Sequence, residues 1–97
     1  MIPLEYHRSF WRDADGYFRW YQSCQAGLGR DFLDEVGKTL AEIEANPARF
    51  ASVTATIHQG QLHRFPFSIF CRPKSDRVRI LALWHNSRGS SAWKYRR

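Results

Sequence analysis

The stretch that decides the fold is "RFPFSIFCRP" at residues 64–73. Successive side chains of an extended chain point to opposite sides, so this stretch predicts a β-strand with two different faces. One face would carry Phe67, Ile69 and Cys71, and the other Ser68, Phe70 and Arg72. Pro66 has no N–H to donate to a β-ladder, so it marks a strand start or a bulge. We expect one face to pack on helices and the other to have aromatic and basic character.

Neighbouring segments extend this strand into a sheet. The segment "SVTATIHQG" at residues 52–60 is rich in Val, Thr and Ile, which favour strands. The sequence "PKSD" at 73–76 has turn chemistry, and "RVRILALW" at 77–84 follows it. Because residues 80–84 are apolar on both faces, this last strand should lie centrally. We predict a three-strand antiparallel meander with residues 64–73 in its middle.

Two amphipathic helices are predicted before the meander. Ser9 is a plausible N-cap for the first helix, and the two glycines of "QAGLG" at 25–29 end it. The second helix begins by Arg30 or Asp31 and stops at "NP", residues 46–47, because a residue before proline disfavours helix. The apolar stripes are Phe10, Ala14, Tyr17, Phe18 and Tyr21 on the first helix, and Phe32, Val36, Leu40 and Ile43 on the second.

The resulting element order is β-α-α-β-β-β, with "MIPLEY" at residues 1–6 as the first strand. This is an α+β arrangement in which a helical hairpin packs on a small sheet. A chain of 97 residues has room for one core, so we expect a single domain over residues 1–97.

The charge distribution is uneven. The chain has 15 Lys and Arg against 9 Asp and Glu, a formal net charge of +6. From residue 62 onward the sequence has one acidic residue, Asp76. The basic residues of the same segment are Arg64, Arg72, Lys74, Arg77, Arg79, Arg88, Lys94, Arg96 and Arg97. Such a cationic half predicts an anionic partner, either nucleic acid or an acidic protein segment. The alternative is a solvated basic surface without a specific partner.

Cysteine usage and hydropathy indicate a protein of the reducing cytoplasm. Cys24 and Cys71 lack metal-binding spacing, and the four histidines form no metal motif, so we expect neither metal nor cofactor. No apolar run approaches the roughly 18 residues that span a bilayer, and the start has no signal-peptide pattern.

Three blocks of the chain together resemble the RelE/ParE superfamily of toxins from bacterial type II toxin–antitoxin modules, with the ParE-like branch most similar. They are "WYQSCQAGLGRDFLDEVGKTLAEIEANPARF" at 20–50, "HRFPFSIFCR" at 63–72 and "ILALWHNSRGSSAW" at 80–93. The likeness covers about residues 6 to 93. It implies a helical hairpin on a small curved antiparallel sheet, as predicted above.

The resemblance also implies a function. One branch of the superfamily cleaves mRNA on the ribosome and the other blocks DNA gyrase, and an antitoxin neutralises both. The nuclease branch carries an arginine where this chain has Ser68, and lysines where it has Gln59 and Gln61. We therefore expect a ParE-like toxin that inhibits its target, DNA gyrase, by binding. The alternatives are a ribosome-dependent mRNA endonuclease and a degenerate member that binds only its antitoxin.

The C-terminal motif of ParE-like chains is only partly present. His85, Arg88 and Trp93 match it, whereas Ser87, Gly89 and Ser90 replace its Arg, Asp and Pro. Without that charge pair and stiff turn, this end of the chain is expected to be more mobile.

Five residues are candidates for binding the target: Arg64, His85, Arg88, Trp93 and Arg96. We expect Arg64 and Arg88, with His85, to form one contact surface at strand ends. Trp93 and Arg96 add aromatic and cationic groups, although Trp93 could instead fold back on the sheet and His85 could serve packing. Trp11 and Trp20 are interpreted as core or groove lining. The expected partner is a cognate antitoxin with an acidic segment, encoded by the neighbouring gene, that forms a hetero-oligomer with this chain.

Overall fold

The computed structural model describes residues 2–89 and 92–96 and contains two helices on a five-stranded sheet. The sheet order is β1-β5-β4-β3-β2. The helices are α1 (Phe10–Cys24) and α2 (Leu28–Ala45), and the strands are β1 (Leu4–Tyr6), β2 (Ala51–Ser52), β3 (His58–Gln61), β4 (Phe67–Pro73) and β5 (Val78–His85). Short 3₁₀ helices cover Pro47–Arg49 and Ala92–Tyr95. The predicted element order is confirmed, with β2 as one additional short strand; Met1, Ser90, Ser91 and Arg97 lie outside the described residues.

Strand β4 is the middle of an antiparallel meander, as predicted, and it begins directly after Pro66. The sheet as a whole is mixed, however, because β1 pairs parallel to β5 with Leu4 opposite Val78. The expected antiparallel arrangement holds for β2 to β5, and this one edge departs from it. Strand β1 leads into the helical hairpin and its partner lies near the other end of the chain, so no local turn fixes its direction.

The turn between the helices depends on Gly27, which has a φ of +88°. This left-handed conformation strains other residues, and here it lets α2 begin at Leu28, two residues earlier than predicted. The early start brings Gly29 against α1, where its N–H donates to the Gln22 side chain over 3.1 Å. Without a side chain at Gly29, the helices can approach closely at this point.

Both helices pack on one face of the sheet, and aromatic rings fill the interface. The ring of Phe67 lies 5.0 Å from that of Phe32 and 4.6 Å from that of Tyr17. These contacts are edge-on, the arrangement that aromatic pairs favour. The predicted face of β4 is confirmed, since Phe67, Ile69 and Cys71 all belong to this buried cluster.

The opposite face of the sheet, called the open face here, has a smaller apolar cluster. A β-bulge opposite residues 70 and 71 inserts one extra residue in β5. Ile80 therefore points toward the helices, whereas Leu81 and Ala82 both belong to the open-face cluster. Trp93 covers that cluster by stacking on Phe70, with 3.8 Å between ring centroids and 7° between planes.

The two cysteines have different environments. Burial raises the pKa of the Cys71 thiol to about 11, so this thiol stays protonated at neutral pH. Cys24 is exposed at the end of α1, and neither cysteine forms a disulfide. Within residues 2–89 and 92–96, no helix is long and apolar enough to cross a membrane, and no three His, Cys, Asp or Glu side chains could share a metal ion.

Two glycines of α2 provide a matched test of the helix packing. A Cβ on Gly29 would lie 2.7 Å from the Phe18 carbonyl oxygen, whereas a Cβ on Gly37 would meet nothing within 4 Å. We expect Gly29→Ala to destabilise the fold by about 1–3 kcal/mol, because backbone must move to admit the methyl group. Gly37→Ala should stabilise it by about 0.5–1 kcal/mol through helix propensity. Urea denaturation of both variants measures the difference, and equal effects of the two substitutions would contradict this packing.

Candidate interaction site

The structure divides the five predicted target-binding residues between two faces of the sheet. The His85 ring faces the helices and packs on Phe67. Arg88 and Trp93 lie on the open face, and Arg64 lies beside α2. The expected single surface of Arg64, His85 and Arg88 is therefore not one continuous face. The alternation of β5 explains the separation, because Trp84 and His85 must point to opposite sides.

On the helix side, His85 closes one end of an aromatic groove. This helix-side groove has a cavity volume of about 530 Å³, and Tyr17, Trp20, Tyr21 and Phe67 are among its walls. Trp20 is 63% exposed, so a large apolar surface remains open to a partner. Its expected role as groove lining is confirmed. The His85 Nδ1 accepts a hydrogen bond from the Ser87 N–H at 3.0 Å, which fixes the ring orientation.

Arg64 is held at the rim of α2 by its backbone. The buried carboxylate of Glu35 accepts hydrogen bonds from the N–H groups of His63 and Arg64, at 2.7 and 3.1 Å. Burial opposes ionisation of Glu35, but these two bonds outweigh it and the pKa of Glu35 lies below its ordinary value. The Arg64 guanidinium is exposed and lies 3.7 Å from Asp31. Glu35 thus positions the loop that presents Arg64.

On the open face, arginine side chains lie over aromatic rings. The Arg88 guanidinium lies 3.7 Å from the centroid of the Trp84 ring, a cation–π contact. Trp93 is buried against Phe70, so it contributes to packing in this structure. Arg96 joins the C-terminal segment to the body of the protein, because it donates to the Leu81 carbonyl and forms an ion pair with Asp13 at 3.2 Å.

A neutral hydrogen-bond chain crosses the meander near the start of β4. Gln59 Nε2 donates to Ser68 Oγ at 2.8 Å, and Ser68 Oγ donates to Asn86 Oδ1 at 2.7 Å. Ser68 is buried and pairs with Trp84 across the ladder. These side chains satisfy one another, and none of the three is charged.

Sequence patterns did not predict two functional features. The first is Glu35, although an acid three residues after Phe32 and one before Val36 lies on the buried stripe and signals a specific partner. The second is the position of the helix-side groove, because the interpretation of Trp20 as core or groove lining does not place it beside His85 and Phe67. Its signal is Gly16, which leaves an open space beside the exposed ring of Trp20.

Comparison with known proteins agrees with this architecture. A solved structure titled "Chromosomal ParDE TA system from P. aeruginosa" has the same fold, with a TM-score of 0.77 at 19% identity. The match covers 88% of this chain and 96% of that one. The small α+β toxin fold is thus shared. No match was found among curated proteins.

The sequence itself gives the family. Residues 4–89 match the family described as ParE toxin of type II toxin-antitoxin system, parDE. The chain belongs to the ParE toxin family, and its predicted resemblance to the ParE-like branch is confirmed. Ser87 and Gly89 lie within the described residues at the end of this match, whereas Ser90 lies outside them.

Removing the Glu35 carboxylate should loosen the loop that carries Arg64. We expect Glu35→Ala to cost about 1–3 kcal/mol, because two backbone N–H groups lose their acceptor. Asp34→Ala is the matched control on the exposed side of the same helix. Thermal melts at neutral pH measure both, and equal stability of the two variants would contradict the role of Glu35.

The same carboxylate gives a pH dependence with a defined sign. Since folding lowers the Glu35 pKa, its contribution is complete above the ordinary value of 4.5 and is lost as the pH falls below it. The difference in stability between the native chain and Glu35→Gln should therefore shrink in acid.

Proposed function

We propose that this ParE family member is a cytoplasmic toxin that inhibits its target, DNA gyrase, by binding and without cleaving RNA. The observation that supports this most is the neutral chain of Gln59, Ser68 and Asn86. Two of these residues, Gln59 and Ser68, stand where the resemblance to the nuclease branch would place cations. At these two positions the chain therefore lacks the cations that the resemblance assigns to the nuclease branch.

The chemistry of RNA cleavage explains why this observation matters. Attack of a ribose 2′-hydroxyl on the next phosphate needs a proton acceptor, a cation on the phosphate and a donor to the leaving oxygen. A serine and two amides that bond one another supply no cation. Arg88 lies over Trp84, the cross-strand partner of Ser68, so it is one cation that the nuclease alternative could use, beside Arg64.

Target binding, in this proposal, uses the exposed cations at the strand ends. Arg64 projects from the β3–β4 loop beside α2, and Arg88 projects over Trp84. Both guanidinium groups are accessible, so they can form ion pairs with a protein target without first leaving a buried site. His85 lies in the helix-side groove between α1 and β4 and offers a ring nitrogen there.

The double variant Arg64→Ala and Arg88→Ala tests the target surface. We expect thermal stability to change little, since exposed charges move it by about 0.5 kcal/mol or less, while toxicity falls. Arg19→Ala and Lys38→Ala, both exposed on the helices, are the matched control. Growth after induction measures toxicity, and a folded double variant with full toxicity would place the target surface elsewhere.

Two assays on the purified chain separate the functions. Inhibition of DNA supercoiling by gyrase supports the proposal, whereas cleavage of mRNA in a reconstituted translation system supports the nuclease alternative. Inactivity in both assays, with normal growth on induction, supports a degenerate member that binds only its antitoxin.

Neutralisation is proposed to come from an antitoxin encoded beside this gene. Its acidic segment would fold on binding and cover the helix-side groove with an apolar side chain against Trp20. Trp20 is suited to such a contact because it is exposed at 63% yet belongs to a concave aromatic wall.

Co-expression with each neighbouring reading frame tests this partner. We expect one small product to be captured by the tagged toxin and to restore growth. Trp20→Ala should weaken capture at least tenfold, because aromatic anchors dominate such interfaces. Trp11→Ala is the control, since Trp11 is on the same helix and 50% exposed but packs on Tyr6 and Phe10 away from the groove. Equal loss with both variants would contradict the assigned groove.

A further inference from the structure

A second concave site lies on the open face, at the end of the sheet where β4 turns into β5. It has a volume of about 700 Å³ and is called the basic cavity here. Ser68 lies near the opposite end of β4, so the basic cavity is separate from the neutral chain of Gln59, Ser68 and Asn86. Its lining contains six cations: Arg72, Lys74, Arg77, Arg79, Lys94 and Arg96.

Strand alternation builds four of these cations into one cluster. In "RPK" at 72–74 and "RVR" at 77–79, a basic residue recurs at every second position. Val78 points into the core beneath the helices, so its neighbours point to the open face. The sequence places these residues in the basic half of the chain but does not join them, because the turn at 73–76 brings them together only in the folded hairpin.

The cluster places two like charges on neighbouring strands. Arg72 and Arg79 are directly opposite each other in the β4–β5 ladder. Like charges at such a position are destabilising, and an anion between them would relieve the repulsion. The Nε atom of Arg77 is buried and, among the described residues, has no acceptor at hydrogen-bond distance, although the Glu5 carboxylate lies 3.6 Å from it.

Carboxylates balance only part of this charge. Glu5 lies 3.6 Å from both Arg77 and Arg79, Asp76 lies 3.8 Å from Arg77, and Asp13 pairs with Arg96. Among the described residues, three carboxylates thus face six cations. Within the same part of the chain, neither Lys74 nor Lys94 has a carboxylate at ion-pair distance.

The cations of the cluster also affect the pKa of a neighbouring histidine, His7. The pKa of His7 is lowered, first by burial and then by Arg96, Arg79 and Arg8, against the opposing effect of Asp13. His7 lines an adjacent cavity together with Arg79 and Arg96. The cations therefore act together on a group placed beside them.

The rim of the basic cavity adds an exposed aromatic ring. Tyr95 lines the cavity and is 85% exposed. The preceding Trp93 stacks inward on Phe70, so the 3₁₀ helix Ala92–Tyr95 is anchored while Tyr95 stays in solvent. A cationic cavity beside a free ring is the arrangement that binds single-stranded nucleic acid, with phosphates on the cations and a base on the ring.

We propose that the basic cavity binds the phosphate backbone of a single-stranded nucleic acid and that Tyr95 stacks on one of its bases. Arginine matches phosphate with two parallel N–H donors, and four of the six cations are arginines. An acidic peptide would satisfy the charges but would leave the Tyr95 ring unused. This binding site is additional to the toxin function and does not depend on which cellular target is inhibited.

Fluorescence anisotropy of a labelled 15-nucleotide oligothymidylate with the purified full chain tests the site over a series of salt concentrations. Affinity should fall steeply with salt. The double variant Lys74→Gln and Lys94→Gln should weaken binding at least tenfold and lower the slope of log affinity against log salt by about 1.4, or 0.7 per phosphate contact. Arg30→Gln with Lys38→Gln on α2 is the matched control for net charge, and it should bind as the native chain does.

The Tyr95→Ala variant distinguishes stacking of a base on Tyr95 from contacts to the phosphate backbone of the nucleic acid. It should weaken binding of the single strand about fivefold or more, leave the salt slope unchanged and have little effect on binding of a duplex. If the α2 control pair weakened nucleic-acid binding equally, the effect would come from overall net charge, and the proposal would be overturned. Binding of poly-glutamate as tight as that of the oligonucleotide would assign the cavity to an acidic protein segment instead. A Tyr95→Ala variant with native affinity for both nucleic acids would refute base stacking.

Discussion

The whole structure depends on covering both faces of the central strand pair. Strands β4 and β5 are buried along almost their full length, yet the helical hairpin can cover one face only. On the other face, Trp93 stacks on Phe70 and Arg88 lies over Trp84. Arg96 holds the segment that carries Trp93 through Leu81 and Asp13. A small domain buries a smaller fraction of its surface and is only marginally stable, so these few contacts matter for the stability of the sheet.

This two-sided construction separates two kinds of surface. The helix side presents aromatic rings around His85, and the open face presents cations supported by rings or by cross-strand neighbours. Because strand residues alternate between the faces, a change on one side leaves the chemistry of the other in place. The antitoxin contact and the nucleic-acid site proposed above therefore use different sets of side chains.

Sequence patterns predicted the fold well because they follow from local geometry. The alternation around Phe67 and the helical stripe of α2 both report which side of an element is buried, and both are confirmed. The parallel pairing of β1 was not predictable, since it depends on two segments at opposite ends of the chain. Glu35 and the basic cavity were missed for the same reason, because each acts only with residues brought close by folding. The bulge at Leu81 likewise changes which side chains of β5 face the helices, and no local sequence pattern predicts it.

The lengths of the two outermost strands have a consequence for self-association. Strand β2 has two residues and β1 has three, so the sheet offers a short row of unpaired backbone groups at either margin. Beyond Tyr6, the carbonyl of Leu81 is already occupied by the Arg96 side chain. Extended segments of other molecules, including identical copies, therefore find few unpaired backbone groups on β1 and β2 themselves. Partners that contact these two short strands would have to be recognised mainly through side chains.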